Sequence, residues 1–121
     1  MKYTLLLLLA SLVSLNLHAT TNAGSGQKWY GPYTVDKVAR YWDGNHRMSV
    51  HVTETPNTTC DVTNTQQLAT YYYGTSITFM QQFVSVLMAA QAQNKKVMLL
   101  LDYTCHTTYG LNLHGIEILS N

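Results

Sequence analysis

Residues 76–101 read SITFMQQFVSVLMAAQAQNKKVMLLL, and the stretch changes period part-way along. In its first part Ile77, Met80, Phe83, Val84, Leu87, Met88 and Ala90 recur at three- and four-residue spacing, the pattern of a helix with one apolar face. Thr75 or Ser76 is placed to cap that helix, because a hydroxyl there can accept an otherwise orphaned amide of the first turn. The helix is expected to run to about Gln93. Asn94 tolerates the left-handed conformation that ends a helix, and Lys95-Lys96 place cations at the negative end of its dipole. Val97 to Leu101 is then a continuous apolar run, expected to be a strand buried on both faces.

Upstream, the periodicity is that of strands. Tyr33 to Trp42 is rich in β-branched and aromatic residues and is stopped by Asp43-Gly44-Asn45, a hairpin signal. Met48, Val50 and Val52 alternate with Ser49, His51 and Thr53, as in a strand with one buried face. A polar loop, Glu54 to Thr65, leads to a third strand over Gln67 to Tyr73. Downstream, Leu111 to Leu119 forms a last strand whose apolar phase slips by one residue near Gly115, the mark of a bulge. Trp29-Tyr30-Gly31-Pro32 is expected to be a turn that enters the first strand. The resulting order is three strands, a helix and two strands. It matches a β-rich (α+β), OB-fold-like Greek-key barrel of five strands with one helix between strands 3 and 4; a split α+β sandwich shares that order.

The first residues point to export. Lys2 precedes an apolar run from Leu5 to Leu17 that is interrupted only by Ser11, Ser14 and Asn16, and Leu17-His18-Ala19 offers a cleavage point. A bilayer core of ~30 Å needs about twenty apolar residues, more than this run supplies. The expected division is a signal peptide over 1–19 (cleavage could extend to 23), a flexible leader over 20–28 and one domain over 29–121. The destination is secreted or periplasmic. In an exported chain the two cysteines, Cys60 and Cys105, read as a disulfide. The alternative is a Cys105-His106 nucleophile, disfavoured because neighbours on an extended strand face opposite ways.

Composition narrows the function. The net charge is +1 and only 11% of residues are charged, so the concentrated Lys and Arg that nucleic acid or an anionic membrane surface requires is missing. No membrane insertion is expected. Asp36, Asp43, Asp61, Asp102, Glu54 and Glu117 are the only acids, and no two are placed by local spacing to act together. They read as solvated charges at strand ends and in loops, with no catalytic residues. His46, His51, His106 and His114 lack the spacing of metal ligands, so no metal and no cofactor is expected. Asn57-Thr58-Thr59 is a glycosylation sequon. Tyrosine is abundant, nine against two Phe, and Trp29, Tyr30, Tyr33, Tyr41, Trp42 and Tyr71-Tyr72-Tyr73 cluster around two strands. Flat rings with polar tips suit wet recognition surfaces, sugars among them.

Ser76 to Leu101, Tyr33-Thr34 followed by Val38 and Gly44, and Cys60 ahead of the third strand together resemble the B subunits of pertussis-like AB-type bacterial toxins, those of subtilase cytotoxin and typhoid toxin in particular. The resemblance covers most of the chain after the leader. It implies a toxin B subunit that assembles as a homopentamer, binds host glycans, sialylated or related, and carries a toxin A subunit. The family's sugar-binding serine falls on Thr34, which keeps the hydroxyl and adds a methyl, with Tyr33 beside it. The competing reading is a small monomeric secreted or periplasmic binding or inhibitor protein with a protein partner. A small hydrolase using His106 or His114 is a third. The export reading has its own check: mass spectrometry of the exported protein should find its first residue at Thr20 or shortly after, and an intact Met1 would refute cleavage.

Overall fold

The computed structural model describes residues 22–60, 67–71 and 75–120. The expected signal peptide lies outside these residues, as do Asp61 and Tyr72 to Gly74. Five strands and one helix follow in the order β1 (Gln27–Trp42), β2 (His46–Val52), β3 (Gln67–Thr70), α1 (Ile77–Ala92), β4 (Lys96–His106) and β5 (Gly110–Ile118). The strands form a closed ring, β1-β2-β3-β5-β4, so the helix does stand between the third and fourth strands in sequence. Neighbours are antiparallel except β3 and β5, which pair in parallel through Ala69–Leu111 and Thr70–Asn112.

The first strand is longer than its composition suggests. It begins at Gln27, so Gln27 and Lys28 belong to the ring and not to a loose leader, and Trp29-Tyr30 is strand and not turn. Gln27 to Tyr30 pair with Asp102 to Leu99 of β4, and Val35 to Trp42 pair with β2. The register shifts between Tyr30 and Tyr33, where Gly31 adopts φ +134. A β-carbon on Gly31 would stand 2.8 Å from the backbone oxygen of Val97 and 2.9 Å from the Met98 sulfur. Glycine is needed there twice, for the backbone angle and for the close approach of β4. At the other end of β1 the Asp43-Gly44-Asn45 hairpin forms as expected, with Gly44 at φ +95 and the Asp43 amide donating to the Asn45 carbonyl at 3.3 Å.

The interior of the ring is filled by alternate residues of every strand: Tyr33 and Val35, Met48, Val50 and Val52, Ala69, Val97, Leu99 and Leu101, Leu111 and Leu113. β4 therefore alternates rather than being buried on both faces, because Met98 and Leu100 point outward and are half-buried. Helix α1 closes one end of the ring, mostly against β1, through Met80, Leu87 and Ala90. Ser76 caps it by accepting the Phe79 amide at 3.2 Å, and Asn94 takes φ 53 just beyond it. The apolar stripe is wider than the buried one: Ile77 and Met88 are exposed, and so is Phe79, while Phe83 packs edge-on against Tyr71 with ring centroids 5.4 Å apart.

Cys60 and Cys105 are bonded, with Cα atoms 5.5 Å apart, and tie the β2–β3 connection to β4. Their separation of 45 residues corresponds to roughly 4 kcal/mol of stabilisation on the chain-entropy account. The phase slip near Gly115 is a bulge: Leu100 faces Gly115 and Leu101 faces Leu113, leaving His114 as the extra residue. Among the described residues no helix is long and apolar enough to cross a membrane. Replacing Gly31 by Ala should cost about 2–4 kcal/mol, from the strained φ together with the contact on Val97. Urea denaturation would measure it, and an unchanged midpoint would mean that β1 and β4 do not depend on this approach.

Candidate functional site

Three polar clusters punctuate the outside and ends of the ring. The first surrounds the residues that sequence reasoning singled out. Tyr33 points inward and is 4% exposed; its hydroxyl accepts the Asn57 amide at 3.3 Å, and burial pushes its pKa up. Thr34, the next residue, is half-buried and faces the other way. Its amide lies 2.7 Å from each carboxylate oxygen of Glu54, and its carbonyl accepts the Thr53 amide at 3.1 Å. The Thr53 hydroxyl adds a 2.8 Å hydrogen bond to the same carboxylate. Burial works against the charge of Glu54, but the Thr34 and Thr53 donors outweigh it and hold the carboxyl below its ordinary range. Tyr33 and Thr34 thus form one unit, a core ring behind a carboxylate-holding strand position.

The second cluster joins the β1–β2 and β4–β5 hairpins. Arg47 Nε lies 2.9 and 2.7 Å from the two Asp43 oxygens, and the Tyr109 hydroxyl donates to Asp43 at 2.6 Å. The Arg47 guanidinium stacks over the Tyr109 ring at 4.2 Å, and His106 lies against that ring at 4.5 Å. The His106 Nδ1 accepts the Thr108 amide at 3.1 Å, shaping the turn that presents Tyr109. The Thr70 hydroxyl donates to the Tyr109 carbonyl, which fastens β3 to the same hairpin. The Tyr109 hydroxyl and Arg47 together depress the pKa of Asp43; burial opposes the Arg47 charge, and Asp43 more than restores it. Burial also raises the pKa of Tyr41, which faces this cluster.

The third lies on the outer face of β4 and β5. Asp102 Oδ2 is 2.7 Å from His114 Nε2 and 3.4 Å from Asn112 Nδ2, while Oδ1 accepts the Thr104 amide at 2.8 Å. Burial pushes the Asp102 pKa up, but these donors, His114 first, bring it below the ordinary carboxylate value. An ionised carboxylate only accepts, so His114 Nε2 carries the proton in this bond.

Asp43 and Asp102 are therefore not the solvated strand-end charges that their positions suggested. Sequence reasoning also missed Arg47, Tyr109 and Glu54 as members of clusters. Asp43 and Arg47 flank one hairpin and could have been paired from it, and the bulge at Gly115 hinted that His114 turns outward. Nothing local links Tyr109 to Asp43, 66 residues away. Among the described residues no three His, Cys, Asp or Glu side chains converge as a metal site would require. No family model, curated protein or solved structure matches the chain.

Each engaged carboxylate binds its proton less readily folded than unfolded, so the stability it contributes is complete above its unfolded pKa and is lost as pH falls through the folded one. For Glu54 the loss begins near the ordinary value of 4.5, and for Asp43 and Asp102 near 3.8. The melting temperature should hold from neutrality to about pH 5 and then fall. Glu54→Gln should melt lower than the parent at neutral pH, and the two should converge in acid. A constant gap down to about pH 2.5, below these carboxyl values, would show that the Glu54 charge is not responsible.

Proposed function

We propose that this chain is an exported, non-enzymatic glycan-binding subunit, the B-type component of an AB-type toxin that assembles as a homopentamer and carries an A subunit to host-cell sugars. The closed ring β1-β2-β3-β5-β4, its parallel β3–β5 pair and the helix between β3 and β4 support reading it as an OB-type Greek-key barrel, a frame whose faces and loops serve oligosaccharides as well as oligonucleotides. A net charge of +1 argues for the sugar side of that choice.

The observation that carries the reading is the Thr34 amide, held at 2.7 Å from both oxygens of a carboxylate. A strand position whose donors already grip the carboxylate of Glu54 has the chemistry to grip that of a sialic acid, with the Thr34 hydroxyl alongside and Tyr33 fixing the strand from within. The sugar would take the place of Glu54. Helix α1 supports the assembly part of the proposal. It carries no charged residue along its 16 residues, and Ile77, Phe79 and Met88 are exposed on it at 42%, 57% and 56%. A helix with that surface is suited to a subunit contact.

Native mass spectrometry of the exported protein and a glycan array test the proposal together. The expected results are a pentamer, retention of sialylated glycans, and a loss of about tenfold or more in affinity for Thr34→Ala. A monomer with a blank array would instead favour a monomeric exported binding or inhibitor protein with a protein partner.

A further inference from the structure

The outer face of β1, β4 and β5 carries an aromatic residue in an unusual seat. Trp29 lies across from Leu100, and Leu100 across from Gly115, so the three form one row on the sheet. A β-carbon on Gly115 would stand 3.3 Å from Leu100 Cβ and 3.5 Å from Trp29 Cη2. Gly115 does not have a positive φ, so the backbone does not call for glycine. The tight neighbour is Leu100, while the indole reaches across the sheet and brings its tip to van der Waals distance of this residue. Trp29 is half-buried: part of its ring is held against the sheet and the rest is at the surface.

The Asp102–His114 pair adjoins that row. Leu101 and Leu113 are turned inward and are almost completely buried, which puts Leu100 and Asp102 on the outer face. Asp102 is two residues, or about 7 Å, along β4 from Leu100. The bulge turns His114 outward next to Gly115, where its Nε2 meets Asp102 at 2.7 Å. Asn112 and the Thr104 amide fix the rest of the carboxylate. A rigid apolar plate thus stands beside an ionised carboxylate and an imidazole, both held in one orientation.

We infer that Trp29, seated over Gly115, and the Asp102–His114 pair form a contact for a neutral pyranose, whose apolar face stacks on the indole while its hydroxyls bond to the carboxylate and the imidazole. Few polar groups, fixed in direction beside an apolar wall, are what orient such a ligand. A pyranose and its hydroxyls span the distance between the row and Asp102. The residues are distinct from Tyr33 and Thr34 and the ligand is uncharged. The inference shares with the proposed function only the idea that the chain binds sugars.

Titration of the labelled, exported protein with neutral saccharides (galactose, glucose, N-acetylglucosamine and lactose) and with sialyllactose, followed by amide and indole NMR signals, separates the two. The expected result is that at least one neutral sugar shifts the Trp29 indole N–H and the Gly115 amide with a Kd of about 1 mM. Affinity read at Gly115 should fall about tenfold in Trp29→Ala and in Asp102→Asn, and stay unchanged in Thr34→Ala. If Trp29→Ala does not fold, Trp29→Leu serves, since it keeps an apolar side chain in the row, removes the flat ring and should weaken binding in a folded protein. Absence of these shifts with every neutral sugar at about 10 mM overturns the inference, as does binding that survives Asp102→Asn unchanged. Sialyllactose shifts confined to the Thr34 region, with no neutral-sugar shift at Trp29 or Gly115, would leave the proposed function standing and this contact refuted.

Discussion

The bend of β1 at Gly31 is the constraint on which the ring depends. A single strand of 16 residues pairs with β4 through its first part and with β2 through its second, so the chain must change partners within one element. A closed ring leaves no edge between those two neighbours, and closure is how a small antiparallel domain avoids exposing unpaired backbone. At Gly31 the β1–β4 register shifts and the Val97 carbonyl comes within a distance no side chain would permit; pairing with β4 then resumes through Tyr33 and Thr34 before β2 takes over at Val35. Tyr33 turns into the core directly after the bend, and Thr34 turns out to Glu54. The carboxylate-holding position is thus a consequence of how the ring closes, and the same holds for Trp29, the last outward-facing residue before the bend.

Closure has a second seam, weaker in backbone terms. β3 is four residues long and meets β5 through two residue pairs. Side chains supplement it: the Thr70 hydroxyl holds the Tyr109 carbonyl, Tyr109 holds Asp43, and Asp43 holds Arg47. The chain of bonds runs from β3 through the β4–β5 hairpin to the β1–β2 hairpin and so closes the same end of the ring a second time. It also explains a buried Arg47. Its guanidinium is covered by the Tyr109 ring and is paired with a carboxylate, the two conditions that make burial of a charge tolerable. The disulfide acts nearby, joining the loop after β2 to the end of β4.

What could be read in the sequence was whatever is periodic and local. Helix α1, its Ser76 cap, the Asn94 terminator, the Asp43-Gly44-Asn45 hairpin and the bulge at Gly115 all leave their mark within a few residues. The pairing of Cys60 with Cys105 followed from the count and the inferred compartment. The start of β1 was hidden because Gly31-Pro32 looks like a boundary in one dimension, whereas in the ring it is a bend inside a strand. The width of the helix stripe misled for a related reason: spacing says which residues share a face, but only the ring decides that Met80 and Leu87 are covered while Met88 is not. The clusters were least legible. Glu54 meets Thr34 and Tyr109 meets Asp43 only through the fold, and no spacing rule connects residues that far apart.

The direction of the carboxylate shifts bears on what such clusters can do. General acid–base work needs a group poised near the operating pH, and in carboxylates that means a pKa raised by burial or by a like charge. Here burial opposes the charge of both Glu54 and Asp102, and in both it loses to the surrounding donors; Asp43 moves the same way. These acids are held as anions at neutral pH, each with its oxygens directed by two or more hydrogen bonds. Fixed acceptors of that kind are poor proton carriers and good orienting groups. In Asp102 three donors converge, from His114, Asn112 and the Thr104 amide. Acids engaged in this way stand as oriented acceptors beside the Thr34 amide and the Trp29 indole, the arrangement that the proposed binding role calls for.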